Sequence, residues 1–393
     1  LKFVDCDVSH PRSRTTMPTR VMTQHEMNES KMMVDLATLL LAAARGEDVE
    51  DRRLAELLIL AAAEPFTRRL VQEIGHSHLS IRRLRSEAAE SGMEEGDVNW
   101  SVYSRFGFRL ADLPTVVASL DVPAGIRTVG GHVFSGEEAV LLLLRRFRST
   151  DPLCNLTKEA GRSVSAISEI VRYMVEHITS RFSHLIDERS LSGWASAFSA
   201  FSQAFRSQGV PIDHLIGFID GKLWPVCRPG RYQQVMYSGH KRVHGVKMQS
   251  VVFPNGLLVY PFGPCNGSRH DSFLLRESEI LNVMQECCEQ LGQTYVLFGD
   301  SAYPISRYLW RMYKGVMTVQ QQAFNTDMSS DRITIEWLYG IVVRLWPFLD
   351  YRKKLQVLLQ PVTLFLNTGV ILTNIHTCLY GNSVQAKYGM DPP

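Results

Sequence analysis

The sequence predicts an α/β layered domain preceded by an all-helical region. Two observations carry this. Apolar spacing is helical from about residue 31 to residue 210. After Pro211 it changes to short β-branched or aromatic runs, bounded by Gly, Pro and Asn and alternating with helical patterns. A third observation points past the fold. Two of the strand-like runs, "GFIDGKLWPV" (Gly217 to Val226) and "YVLFGDSAYP" (Tyr295 to Pro304), end in an aspartate set against a glycine, Asp220 and Asp300.

A chain of 393 residues is too long for one ordinary domain and suggests two or three. Hydrophobic content of 45% with 21% charged residues fits a soluble globular protein with real cores. The net charge of +2 gives no global signal for nucleic acid. Seven cysteines without a CxxC pair, Cys287 and Cys288 being adjacent, read as reduced structural thiols of a cytosolic or nuclear protein. No secretory signal is legible in the residues given. The best membrane candidate, Pro361 to Gly381, carries Asn367, Asn374 and His376 and lacks an unbroken run of about 18 apolar residues. A buried helix is expected there, and no membrane partner.

In chain order, residues 1–30 are polar and aperiodic, and disorder is expected. Residues 31–100 form a helical region of unknown role. It holds two Ala/Leu-rich patterns, the first closed by Gly46, and an acidic linker from Ser86 to Asp97. Residues 101–210 form a helical, helix-turn-helix-like domain. Ser135 and Glu138 make a capping box. A short helix ends near Gly161, and Ser163 or Ser165 caps the next, which carries Ile167, Ile170, Val171 and Met174 on one face. Residues 211–393 form the α/β domain with C-terminal helices. Strands are expected at "HLIGFID", "GVKMQSVVF", "GLLVYPF" and "TYVLFGD", with a hairpin at Pro254 to Gly256. Helices are expected at "DSFLLRESEILNVMQECCEQL", "ISRYLWRMY" and "RITIEWLYGIVVRLWPFL".

If the first and fourth of these strands are neighbours, their C-terminal ends bring Asp220 and Asp300 together, where α/β sheets place ligands. Two close carboxylates repel, and a divalent cation resolves this. Hard oxygen donors point to Mg²⁺ or Mn²⁺ rather than zinc. Glu336, bordered at helical spacing by Ile333, Gly340 and Ile341, is the candidate third ligand.

The same blocks resemble the DDE endonuclease domain of Harbinger-type (PIF/Harbinger) transposases and their domesticated relatives. The matching residues are "FIDG", "YSGHKRVHGVKMQSVVFPNGL", "NGSRHDS", "FGDSAYP" and "FN…MSSDRITIEWLYG", in that order. The helical region from "FSGEEAVLLLLRRF" to "HITSRF" is similar to the segment that precedes this nuclease. The resemblance implies a ribonuclease H-like fold, a catalytic triad of Asp220, Asp300 and Glu336, and two-metal phosphoryl transfer on DNA. It also implies a separate Myb/SANT-like partner, a possible homo-oligomer, and the nucleus as compartment. A domesticated DNA- or chromatin-binding protein that no longer cuts is the alternative.

Two further features bear on the site. "RHDS" adds Asp271, which reads either as the cap of the following helix or as a fourth acid, and His270, which reads either as a phosphate contact or as a packed histidine. Residues 221–260 contain Lys222, Arg228, Arg231, Lys241, Arg242 and Lys247 and no Asp or Glu, with Trp224, Tyr232 and Tyr237 interleaved. Such a stretch suits phosphate contacts, with His240, Lys241 and Arg242 leading.

Overall fold

The computed structural model describes residues 79–187, 189–352 and 355–393. The disorder expected over 1–30 and the helical patterns before residue 79 lie outside these. The first described helix, α1 (Ile81–Ser91), is capped by the Ser80 hydroxyl, which accepts from the Arg83 amide. It ends at Gly92 in the left-handed conformation, and α2 (Glu95–Phe106) follows. The acidic linker expected over Ser86 to Asp97 is therefore a helix end, a three-residue turn and a helix start. Ala88 and Ala89 favour helix, and only Gly92 breaks it.

After α3 (Leu113–Ser119) and the hairpin β1 (Gly125–Arg127) and β2 (Val133–Ser135) comes α4 (Gly136–Arg148), with Leu141 to Leu144 fully buried. The Ser135 hydroxyl accepts from the Glu138 amide, as the capping box requires. The reciprocal half of the box does not form. The buried Glu138 carboxylate instead takes a forked pair from Arg162, at 2.9 and 2.8 Å. A bidentate charged pair outweighs one bond to a backbone amide. α5 (Leu153–Ala160) stops at Gly161 (φ +64°), and the Ser163 hydroxyl caps α6 (Val164–Arg181). The expected face of Ile167, Ile170, Val171 and Met174 is buried.

Two helices, α7 (Arg189–Ser192) and α8 (Phe198–Ser207), lead into the sheet. Its strands are β3 (Leu215–Pro225), the short β4 (Tyr237–Ser238) reached through α9 (Gln233–Met236), β5 (Val243–Val252) and β6 (Leu258–Asn266). Next come α10 (Asp271–Ser278), α11 (Ile280–Leu291), β7 (Val296–Gly299) and β8 (Leu309–Arg311). The long α12 (Val319–Leu345), α13 (Val362–Tyr380) and α14 (Ser383–Tyr388) close the chain. The sheet is mixed. β6, β5 and β3 are antiparallel, and β3, β7 and β8 are parallel. The hairpin turn at Pro254 to Gly256 forms as expected, with Gly256 at φ +77°.

Three sequence expectations fail here. "DSFLLRESEILNVMQECCEQL" is two helices, α10 and α11, broken at Glu279 with φ +54°. "ISRYLWRMY" is not a helix. Pro304 and the aromatic run steer Leu309–Arg311 into β8, paired to β7. β3 does not stop at Asp220 but runs on to Pro225, because "KLWP" continues to pair with β5.

One hydrophobic core runs from α4 and α6 through the α12 face of the sheet, and a second fills the opposite face around α8 and α11. α13 is long and apolar enough to cross a membrane by length and composition, yet 61% of its apolar window is buried. It lies against Trp346, whose indole N–H donates to Thr373 at 3.0 Å. The six cysteines among the described residues are free thiols, and Cys287 and Cys288 are buried.

Candidate functional site

The parallel register of β3 and β7 pairs Phe218 with Phe298 and Ile219 with Gly299. Asp220 and Asp300 are the next residues on each chain, so they start one strand spacing apart, about 4.8 Å. There β7 ends while β3 continues, leaving a step in the sheet with both aspartates on it. Residues two apart share a face, so Asp220 and Asp300 project on the same side as Phe218 and Phe298, the side covered by α12. The α12 residue Tyr339 fixes the strand beneath by donating to the Asp220 carbonyl oxygen at 3.0 Å.

The Asp220 carboxyl is pushed up to about 6. Burial is the first cause. Arg332 and the Gly221 amide oppose it, while Asp300 and Asp271 add repulsion. The Asp300 carboxylate accepts from the Ala302 amide at 2.8 Å.

The third acid behaves differently. Glu336 is 53% exposed and held by Arg332 one turn earlier, at 2.7 Å. The other arm of the same guanidinium lies 3.9 Å from Asp220. Arg332 thus stands between Glu336 and Asp220. The buried stripe of α12 is Met328, Ile335, Leu338 and Val342. Ile333 and Gly340, expected to flank Glu336 on that stripe, are exposed.

Asp271 is not the cap of α10. His270 occupies the cap position without a side-chain bond, and Asp271 is the first helical residue. Its carboxylate faces the sheet, with Oδ1 3.0 Å from the Lys247 ammonium yet without hydrogen-bond geometry to any group. Gly221 explains this placement, since a Cβ at that position would collide with Oδ1 of Asp271. The glycine of "FIDG" is the gap through which a carboxylate reaches the strand from the far face. Behind it, fully buried Tyr303 donates to Gln249, which donates to Ser278.

The cations divide into two sets. Lys222 is half-buried, its ammonium 4.9 Å from the Trp224 ring and 5.4 Å from the Tyr339 ring. Burial lowers its pKa; Asp350 and Asp220 resist, and Lys241 pushes the same way. Lys247 is committed to Asp271. Arg228, Arg231, His240, Lys241 and Arg242 are exposed, as is His270. The last two of the strip lie on the tight turn from β4 into β5, where Arg242 takes a left-handed φ of +55°.

The donor chemistry of the step fits a divalent cation: two carboxylates as oxygen ligands, one of them made hard to ionise first by burial and further by the charge of Asp300. Among the described residues no three His, Cys, Asp or Glu side chains gather as a ready-made ion cage. The nucleus of the site is the aspartate pair.

Residues 219–374 match the family model of DDE superfamily endonucleases. The match covers both aspartates, Asp271, the basic strip from Lys222 onward and Glu336. No curated protein and no solved structure matches the chain significantly. The matched stretch runs from within β3 through the rest of the sheet and α12 to most of α13, and leaves the helical region outside it. Arg332 and Tyr339 escape sequence reading. Arg332 carried a faint signal, sitting four residues before Glu336 on one helix face.

Proposed function

We propose that this chain is a metal-dependent DNA endonuclease of transposase origin, of the Harbinger type, that hydrolyses DNA phosphodiester bonds and can transfer the cut strand. The observation that carries this is the step itself. Two aspartates end up side by side on neighbouring parallel strands, and one of them is pushed up to about 6 by burial and like charge. Three antiparallel strands continuing into two parallel ones support reading the domain as ribonuclease H-like. A pair of Mg²⁺ or Mn²⁺ ions held by Asp220, Asp300 and Glu336 would neutralise the scissile phosphate and lower the pKa of the attacking water or DNA hydroxyl.

The chain's own residues do the rest. Strand β3 and Tyr339 hold Asp220 in place. Arg332 orients Glu336 and, as a fixed cation, faces the charge that builds on the phosphate. Lys222 lies on the same strand face as Asp220, and the exposed Arg228, Arg231, His240, Lys241 and Arg242 extend positive charge away from it for the DNA backbone. A DNA substrate makes the nucleus the working compartment, and a Myb/SANT-like partner and self-association would help choose the DNA ends.

A second reading has its own observation. Arg332 already neutralises Glu336 and approaches Asp220, as it would in a domesticated DNA-binding protein that no longer cuts. Supercoiled plasmid incubated with Mn²⁺ separates the two. Cutting that requires the cation and falls by roughly a hundredfold or more in Glu336→Gln supports the nuclease. Tight binding with no cutting, equal in both chains, supports the second reading.

A further inference from the structure

A second acid-free segment begins where the step ends. Residues 301–326 contain Arg307, Arg311 and Lys314 and no Asp or Glu. They carry β8, the edge strand of the sheet, whose outer side pairs with no described strand. Register places its face. Trp310 pairs with Phe298, which pairs with Phe218, so Trp310 projects on the same side as Asp220 and Asp300. Trp310 is 42% exposed and Tyr313, just beyond it, 48%.

The Tyr313 ring is held, not loose. Asn325 grips Tyr313 from both sides. Its Oδ1 accepts from the Tyr313 amide at 2.9 Å, and its Nδ2 donates to the Tyr313 carbonyl at 3.1 Å. The Tyr313 ring meets Phe324 edge-on at 5.4 Å. Arg311 anchors the strand to the residue after Asp300, donating to the Ser301 carbonyl at 2.8 Å. Lys314 is exposed next to Tyr313, whereas Arg307, at the other end of β8, donates to Thr294 at 3.2 Å.

We propose that Trp310 and Tyr313 form a ledge on which an unpaired base stacks, taken from the DNA strand held at Asp220 and Asp300, with Lys314 beside its phosphates. Stacking needs only an exposed ring face and is tolerant of sequence. A fixed ring loses little freedom on binding. The cations without acids favour a polyanion over an apolar protein partner. The inference rests on the DNA reading above and adds to it which strand state the site prefers.

The test uses the full chain in a chelator, so that nothing is cut. A labelled single-stranded oligonucleotide and a fully paired duplex of the same length are titrated by fluorescence anisotropy. Trp310→Ala and Tyr313→Ala are each expected to weaken the single strand about tenfold, the size of one stacked base, and the duplex less than about threefold. Trp310→Phe keeps most of the affinity, and melting curves recorded in parallel show the alanine chains still folded at the assay temperature. Equal single-strand affinity in native and alanine chains overturns the ledge, as does an equal loss for both DNAs. A native dimer that Trp310→Ala splits, with single-strand affinity unchanged, also overturns it and assigns the edge to a second copy. Binding of neither DNA by the native chain would sink the nuclease reading as well, whereas duplex binding with indifferent alanine variants sinks the ledge alone.

Discussion

Glu138 and Glu159 lie among the helices, and Asp220 and Asp300 at the step of the sheet; each set is largely withdrawn from water. The helical acids have full partners. Glu138 takes the fork of Arg162, and Glu159 takes Arg105 at 2.6 Å and Arg145 at 2.8 Å. Burial works against ionised Glu159, yet the two arginines hold its carboxyl below the usual range. At the step the balance reverses. Arg332 reaches Asp220 only at 3.9 Å and is shared with Glu336, while Asp300 adds repulsion. Acids placed for stability are paired within the chain. Asp220, at the strand step, is left short of positive charge, the condition in which a cation would be most strongly attracted.

That contrast can be broken by mutation. Glu138→Ala strands the Arg162 guanidinium in the core and is expected to cost about 3–5 kcal/mol in denaturant unfolding. Asp220→Asn, measured the same way without metal, should be neutral or stabilising. Equal losses at both positions would erase the distinction.

Asp220 and Glu159 should also respond to pH with opposite sign. The Asp220 carboxyl is raised from 3.8 to about 6. Its contribution is therefore complete below about pH 4 and lost as pH climbs through 6, on the order of 3 kcal/mol at most. Glu159 is lowered, so its contribution is present above its ordinary value of 4.5 and lost as pH falls below that. Unfolding across pH 3 to 7 in a chelator should show the high-pH loss flattened by Asp220→Asn and the low-pH loss flattened by Glu159→Gln. Divalent cation should restore stability near pH 7 in the native chain and not in Asp220→Asn.

Smaller effects sharpen the picture of the step. Gly221→Ala drives a methyl into Asp271 and should cost about 1–3 kcal/mol. Adding Asp271→Ala removes the collision and should restore most of that stability in a thermal melt. At the outer end of the basic strip, Lys241→Glu with Arg242→Glu should leave the melt unchanged, weaken duplex binding, and lower the salt dependence by about two phosphate contacts.

Much of this was legible in the sequence because it is local. The change of apolar period at Pro211, the glycine stop and serine cap at Gly161 and Ser163, and the hairpin at Pro254 to Gly256 all depend on neighbours a few residues away. The pairing of Asp220 with Asp300 was legible because two like runs implied neighbouring strands. What escaped is set by distant contacts. β8 takes its conformation from pairing with β7, against a helical pattern in "ISRYLWRMY". Glu138 gives up half its capping box to an arginine 24 residues away. Asp271 turns from the helix it opens toward a gap created by Gly221, 50 residues earlier, and Arg332 claims Glu336 for reasons visible only once α12 meets β3.

The central claim is that the aspartate pair at the step is a metal-dependent nuclease centre. Its most direct test is cleavage of supercoiled plasmid by the native chain and by Asp300→Ala, in Mg²⁺ or Mn²⁺, with DNA binding recorded in parallel. The account predicts nicked and linear product from the native chain only with the cation, and loss of cutting with retained DNA binding in Asp300→Ala. Cutting that survives the substitution would contradict it, as would a native chain that binds DNA and never cuts under either cation.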